Sequence, residues 1–301
     1  MRTNIVLAGS SGVIGSFLFK ELSKNKELNV TGIGAEKLEI NNYSKIDLTN
    51  FDNTNNVISK ITKPDVLIFL VALAHEKGKN KEIDTFRLIN FTTLVNLMEV
   101  LKKQNKLPSK IIFTSTISVY GEKYHTSEYS EDSAKTPKSP YAVTKLEAEE
   151  YLLKNYHNIS FILRFTPVYS EKFKLNIERR TQIKNFFYKI CNGKNKLSLL
   201  SIKNILLVIE EIINDKIPAG IYNISDEKEY TFEDLLKIQN PNKVITIPKS
   251  FISMIYYLNK IIRINFIEEN SIKLLTDNIY PSTKIQKYIK LKDNLYTTLK
   301  S

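Results

Sequence analysis

Apolar positions over the first 170 residues follow two alternating periods. Asn4 to Ala8 is a short apolar run stopped by Gly9, and beyond it Val13, Ile14, Phe17, Leu18 and Leu22 recur at three- and four-residue intervals. The first pattern predicts a buried strand and the second a helix. Strands follow over 29–33, 45–48, 65–74 and 110–115, with helices over 55–62 and 83–104. Pro140 opens a helix carrying Leu146, Ala148, Tyr151 and Leu152, and 159–165 is the next strand. Such alternation predicts an α/β fold, a doubly wound parallel sheet with helices on both faces. Beyond Ser170 the pattern weakens, and Pro218, Gly220, Pro241, Pro248 and Pro281 punctuate the chain. A first domain over 1–169 and a smaller, mostly helical lobe over 170–301 are expected, with no repeat or low-complexity linker between them.

The first strand-to-helix passage reads Gly9-Ser10-Ser11-Gly12-Val13-Ile14-Gly15, a GxxGxxG spacing. There Gly9 permits the tight turn, Gly12 lets a pyrophosphate approach the backbone, and Gly15 lets the helix lie close to the sheet. Free amide hydrogens at the helix N-terminus face the phosphates. The sheet is therefore expected to be of the Rossmann type, with the catalytic residues on the same domain. An acid at the end of the second strand normally grips the adenosine ribose. Here that place reads Ile33-Gly34-Ala35-Glu36-Lys37, with Gly34 at the carboxylate position. Loss of the acid leaves room for a 2′-phosphate that Lys37 can pair with, so the cofactor expected is NAD or NADP.

Tyr141 and Lys145 stand four apart at the start of a helix and point from one face. The same spacing recurs at Tyr256–Lys260, Tyr280–Lys284, Tyr288–Lys292 and Tyr296–Lys300, so spacing alone proves nothing. Only Tyr141 follows the hydroxyl-rich strand end Thr114-Ser115-Thr116. A phenol with pKa about 10 is a poor proton shuttle at neutral pH. An ammonium about 4 Å away favours phenolate by about 4 kcal/mol, which brings Tyr141 near 7. Thr116 then hydrogen-bonds the oxygen that exchanges its proton with Tyr141 as charge develops on it.

With the glycine turn, these residues resemble the extended short-chain dehydrogenase/reductases of the NAD-dependent epimerase/dehydratase family, which act on nucleotide sugars. The resemblance covers most of the chain, through Thr116-Ile117-Ser118-Val119-Tyr120-Gly121, Thr166-Pro167-Val168-Tyr169, Lys174-Leu175-Asn176 and the stretch from Ser198-Leu199 to Asn204-Ile205. It implies that Ser11, Val13 and Ile14 join Gly9, Gly12, Gly15 and Gly34 at the cofactor, with Asp47-Leu48 against adenine. Val71, Ala72 and Ala74 form the loop beside it, and Asn90, Thr114, Tyr141 and Lys145 complete that side. It places Phe165, Pro167 and Val168 against nicotinamide, and Thr116, Thr166, Asn176 and Arg179 at the substrate. Catalysis falls to Thr116, Tyr141 and Lys145, with no metal. A homodimer through helices over 83–104 and 141–155 is implied too, and Leu94, Leu97 and Leu101 are read as more apolar surface than one sheet face needs.

Departures narrow the reaction. The family's 4,6-dehydratases carry Asp-Glu directly after the catalytic threonine, whereas this chain has Ile117-Ser118. The epimerase-reductases that make GDP-fucose need a cysteine where Ser118 stands, and relatives often carry an arginine and a glycine where this chain has Leu197 and Ser170. What remains is hydride transfer at carbon 4 of a UDP- or dTDP-linked hexose. Gly34 and Lys174-Leu175-Asn176, which resembles 4-keto-sugar reductases of surface-polysaccharide pathways, tilt the reading toward reduction. A UDP-hexose 4-epimerase with tightly bound NAD is the alternative.

Composition bounds the rest. Over 301 residues, 42% hydrophobic and 25% charged residues exclude a disordered or fibrous chain. The net charge of +12 raises nucleic acid as a partner, but arginine is confined to six positions and lysine lacks its planar fork, so none is expected. A non-catalytic dinucleotide-binding scaffold and an RNA-binding relative are the rivals of another class, and intact Thr116, Tyr141 and Lys145 weigh against both. The run from Val66 to Ala74 is too short to span a bilayer, no signal-peptide pattern opens the chain, and Cys191 is the single cysteine. A cytoplasmic location is expected. His75, His125 and His157 read as local hydrogen-bonding residues, Arg179-Arg180 as a phosphate fork or a solvated face, and 251–267 as a lobe helix or a membrane-surface segment.

Overall fold

The computed structural model describes residues 2–74, 82–124, 126 and 128–299; His75 and His125 lie outside the described residues. The expected alternation is present as β1 (Thr3–Ala8), α1 (Val13–Leu22), β2 (Leu28–Gly34), β3 (Tyr43–Lys45), α2 (Phe51–Ser59), β4 (Val66–Phe69), α3 (Ile83–Arg87), α4 (Thr93–Lys103), β5 (Lys110–Thr116), α5 (Pro140–Tyr156) and β6 (Ser160–Phe165). With a later strand, Gly220–Ile224, the six strands form a seven-stranded sheet in the order Gly220–Ile224, β6, β5, β4, β1, β2, β3. β1 pairs in parallel with both β2 and β4, β2 with β3, and β4 with β5. The strand order reverses between β1 and β4, which opens the crevice where such sheets bind ligands.

Boundaries differ from the sequence expectation where local chemistry intervenes. The third strand ends at Lys45 because Asp47 turns the chain, its carboxylate accepting from Thr49 N at 3.0 Å and Thr49 Oγ1 at 2.6 Å. The fourth stops at Phe69, and Leu70–Ala74 is irregular. The long helix is broken by a π-helical turn over Leu88–Thr92 that joins α3 to α4.

The chain divides into two compact units, 1–119 with 139–163 and 209–221, and 120–138 with 164–208 and 222–301. This division differs from a single boundary at 169/170, since 209–221 group with the first unit and 120–138 with the second. The core of the first unit includes Val6, Phe69, Leu94, Leu97, Leu101, Phe113 and Leu152. Leu94, Leu97 and Leu101 are thus fully buried within one chain, which corrects their reading as spare apolar surface for a dimer.

The second unit is less purely helical than expected. A three-stranded sheet runs in the order Val244–Ile247, Phe186–Ile190, Gln182–Ile183, and packs Tyr188 and Ile190 against Ile252 and Tyr256. The buried Asp226 carboxylate accepts from Tyr169 Oη at 2.6 Å and Tyr230 Oη at 2.8 Å, tying the unit's second apolar cluster together. Truncating a fully enclosed leucine costs about 2–5 kcal/mol. Leu97→Ala is expected to lower the unfolding free energy by about that amount, read from the urea midpoint, whereas a residue on an outer face would cost a few tenths.

Candidate active site

The turn after β1 is shaped by two glycines for different reasons. Gly9 adopts φ +86°, and a Cβ there would sit 3.0 Å from Val71 N in the segment after β4. A Cβ on Gly15 would lie 2.1 Å from Gly9 O, so only glycine lets α1 approach the turn. Gly12 is another case. Its added Cβ would meet nothing closer than Gly9 O at 3.5 Å, and Gly12 and Val13 face solvent. The protein itself leaves that side of the turn open. Gly12 caps α1 without a side-chain hydrogen bond and no acid stands in the first turn, so free amide hydrogens point into the opening. This arrangement fits a dinucleotide's pyrophosphate. Ser11 and Ile14 are half-buried in the same turn.

At the end of β2 the ribose position is not empty. A Cβ on Gly34 would lie 2.9 Å from Tyr43 Oη and 3.5 Å from Ser11 Oγ. Tyr43 Oη donates to Glu36 O at 2.6 Å, so its lone pairs remain available to another donor. Sequence reasoning missed Tyr43, which lies outside the motif and reaches the site only because β3 pairs beside β2. Lys37 is exposed and lies 3.9 Å from Glu39. Asp47 is exposed, and Leu48 O accepts from Asn96 Nδ2 at 2.9 Å.

Asn90 is placed by the π turn and fully buried. Its Oδ1 accepts from Leu73 N at 2.6 Å, and its Nδ2 donates to Thr144 Oγ1 at 3.0 Å. The amide is thereby committed to holding the Val71–Ala74 segment against α5, and that segment leaves Ala72 and Ala74 exposed. Thr114 Oγ1 donates to Phe69 O at 3.2 Å, which joins the ends of β5 and β4.

Thr116 at the end of β5 and Tyr141 in the first turn of α5 are hydrogen-bonded through their side chains. Ser139 caps α5 by accepting from Ala142 N at 3.3 Å, and Pro140 suits the first helical position. One turn on, Lys145 is buried with its Nζ 4.2 Å from the centre of the Phe113 ring and, among the described residues, no hydrogen-bond partner. One turn further, buried Glu149 accepts from Ser115 Oγ. Sequence reasoning missed Glu149 and Ser115, although Glu149 shares the face of Tyr141 and Lys145 at the next helical interval.

The expected electrostatics are inverted. Burial pushes the Tyr141 hydroxyl up to about 12, against the Thr116 hydrogen bond, and pushes Lys145 down to about 7 against the attraction of Glu149. Desolvation penalises both charged forms, and an amine without acceptors has little to hold its proton. Acceptors supplied to Lys145 Nζ restore its charge, and a charged Lys145 in turn lowers Tyr141. The orphaned Nζ therefore marks where a polyhydroxyl ligand such as a nicotinamide ribose fits. By contrast, Lys260 stacks 4.7 Å over the ring of its own Tyr256 on an exposed helix, a local contact with no such geometry.

The second unit holds the remaining expected residues. Phe165 and Val168 are buried and Pro167 half-buried. Thr166 Oγ1 donates to Ile224 O at 3.3 Å, and Asn176 Nδ2 donates to Val168 O at 2.8 Å, so both brace the chain after β6. Arg179 is exposed on the helix Leu175–Thr181, while Arg180 beside it is half-buried and lowered by that burial. His157 is exposed.

A parallel sheet with a glycine-rich turn beside the point where its strand order reverses is an architecture that binds dinucleotides. The chain belongs to the NAD dependent epimerase/dehydratase family, whose model matches residues 5–205. It is 30% identical over 187 residues to an uncharacterised UDP-glucose epimerase, YtcB, of Bacillus subtilis, covering 56% of this chain and 57% of that one. It is 27% identical over 187 residues to protein CapI of Staphylococcus aureus, covering 55% and 54%. The chain spans about half the length of the curated relatives it matches. The fold is shared with a UDP-glucose 4-epimerase of Thermotoga maritima solved with UDP-glucose, at TM-score 0.76, 19% identity and coverage of 99% and 96%. It is also shared with a UDP-glucuronic acid 4-epimerase of Bacillus cereus solved with NAD, at TM-score 0.73, 21% identity and coverage of 99% and 96%.

A lysine depressed on folding binds fewer protons in the native state than in the unfolded chain between about pH 7 and its ordinary value of 10.5. Stability of the ligand-free protein is therefore expected to rise with pH over that window, and Lys145→Met should flatten the rise. Denaturation midpoints at pH 7, 8 and 9 check this, and equal slopes for both proteins would remove Lys145 as the cause.

Proposed function

We propose that the protein interconverts a nucleotide-linked hexose with its 4-epimer, with NAD as cofactor. The observation that carries this reading is the Thr116–Tyr141 hydroxyl pair one helical turn from the orphaned Lys145 Nζ. When bound, NAD supplies a reversible acceptor for the hydride of carbon 4. The Tyr141 Oη takes the 4-hydroxyl proton and later returns it, Thr116 Oγ1 binds the same oxygen, and Lys145 Nζ holds ribose hydroxyls and stabilises the phenolate. Ile117 and Ser118 offer no acid-base pair for removing water, so the chemistry stops at carbon 4.

The tilt toward 4-keto reduction rests on Lys174-Leu175-Asn176 and on Gly34, where the missing acid weakens the ribose grip. Tyr43 Oη stands beside Gly34 and takes over that grip by accepting from a ribose hydroxyl, which supports retention of NAD through both half-reactions. The relatives named as UDP-glucose epimerase and 4-epimerase point the same way. Reduction of a 4-keto sugar remains as a second reading through the Lys174-Leu175-Asn176 segment. The second unit is assigned to the nucleotide sugar, and the half-buried groove of Arg87, Phe91, Glu147 and Tyr151 to a second copy of the chain.

Tyr43→Phe should weaken NAD binding about three- to tenfold, measured by calorimetry, because one hydrogen bond is lost. Unchanged affinity would remove Tyr43 from the ribose site. Tyr141→Phe should lower turnover by about 100-fold or more while NAD still binds, and Lys145→Ala should damage both. The wild-type protein should interconvert UDP-glucose and UDP-galactose without net change at the nicotinamide absorbance. Stoichiometric consumption of reduced nicotinamide with a UDP-4-keto-6-deoxy sugar would replace epimerisation by reduction and leave the same three residues in place.

A further inference from the structure

The helix Lys249–Ile262 is apolar on two faces. Ile252, Tyr256 and Asn259 are buried, with Ile252 and Tyr256 packed on Tyr188, Ile272 and Leu275. Nearly opposite, Phe251, Met254, Leu258, Ile261 and Ile262 recur at three- and four-residue intervals and are exposed. Such a stripe on a soluble helix is normally turned inward. The exposed apolar surface continues past the helix end. Arg263 takes φ +60°, and the corner is locked by Asn259, whose Oδ1 accepts from Ile264 N and whose Nδ2 donates to Ile264 O, each at 3.0 Å. The corner carries Ile261, Ile262, Ile264 and Phe266 into solvent, with Ile261 82% and Phe266 74% exposed. This is a rigid apolar tip, because the bonds that fix it come from a buried side chain.

Charge decides what covers the tip. From Lys249 to Ile267 the chain has Lys249, Lys260 and Arg263 and no Asp or Glu. Lys260, with its side chain 54% exposed, lies 3.7 Å from Glu268, and Lys249 and Arg263 are exposed as well. The whole chain carries a formal net charge of +12, which an anionic surface attracts. Among the described residues no helix is long and apolar enough to cross a membrane. An apolar face beside exposed cations, on a helix too short to span, suits a segment that lies in the headgroup region with its apolar face down.

We propose that the tip formed by Lys249–Ile262 and the Arg263–Phe266 corner docks the protein on an anionic lipid bilayer. Ile261, Ile262, Ile264 and Phe266 enter the acyl boundary and Arg263 meets lipid phosphates. The proposal does not depend on the reaction assigned above, since no residue of that site takes part. The test is co-sedimentation of the full chain with vesicles of phosphatidylcholine mixed with phosphatidylglycerol, and with phosphatidylcholine alone. Binding to the anionic vesicles is expected, with weaker binding to the neutral ones and a decline as salt rises. The double substitution Ile261→Asp with Phe266→Asp should weaken it about tenfold or more. Both positions are so exposed that the fold should survive, and an unchanged urea midpoint checks this. Absence of binding to anionic vesicles, equal binding to neutral ones, or undiminished binding by the folded double variant would each overturn the proposal. So would light scattering that shows a wild-type dimer split to monomers by the same double variant.

Discussion

A lysine ammonium removed from water and given nothing to bond is the constraint on which this site is built. Lys145 Nζ meets the face of Phe113 on one side and the field of Glu149 one turn away. Neither satisfies its three hydrogens. The helix that carries it is pinned at each neighbouring buried polar position: Glu149 to Ser115 on β5, and Thr144 to Asn90, which in turn holds Leu73. The end of β5, the segment after β4 and α5 are thereby fixed relative to one another around one unsatisfied amine. Preorganised groups of this kind act without rearranging at the moment of reaction.

Much of this architecture was legible in the sequence because its determinants are local. The GxxGxxG turn fixed where β1 ends and α1 begins, and the Thr114-Ser115-Thr116 strand end singled out Tyr141 and Lys145 from five similar pairs. What escaped depends on strand pairing and burial. Tyr43 reaches Gly34 only through the β2–β3 register, which no motif encodes. Leu94, Leu97 and Leu101 looked like surplus for a partner because a sheet covered by helices encloses more side chains than one helix face suggests. The inverted behaviour of Tyr141 and Lys145 is likewise a matter of burial, since spacing gives the attraction between two groups and not the cost of enclosing them.

The later half of the chain was read less fully for the same reason. Its strands are two to five residues long, and the network around Asp226 joins residues far apart in sequence. Short elements leave no period to detect. The breaks in the second half fell where proline and glycine punctuated it, but the pairing of Phe186–Ile190 with both of its neighbours had no counterpart in the hydropathy pattern.

The π-helical turn over Leu88–Thr92 gives the chain a count it must keep. A π turn holds one residue more than the α-helical turn it replaces, and here the surplus falls where Asn90 reaches the Leu73 backbone. Deleting a single residue within Leu88–Thr92 would let the helix close into a regular one, with the flanking faces of α3 and α4 kept in register and the π turn itself lost. Asn90 would then lose the place from which it accepts from Leu73 N, and the segment after β4 would lose its anchor. This stretch tolerates exchange of side chains at its exposed positions but no change in length, so in divergent descendants of this chain insertions and deletions should accumulate in the loops around it.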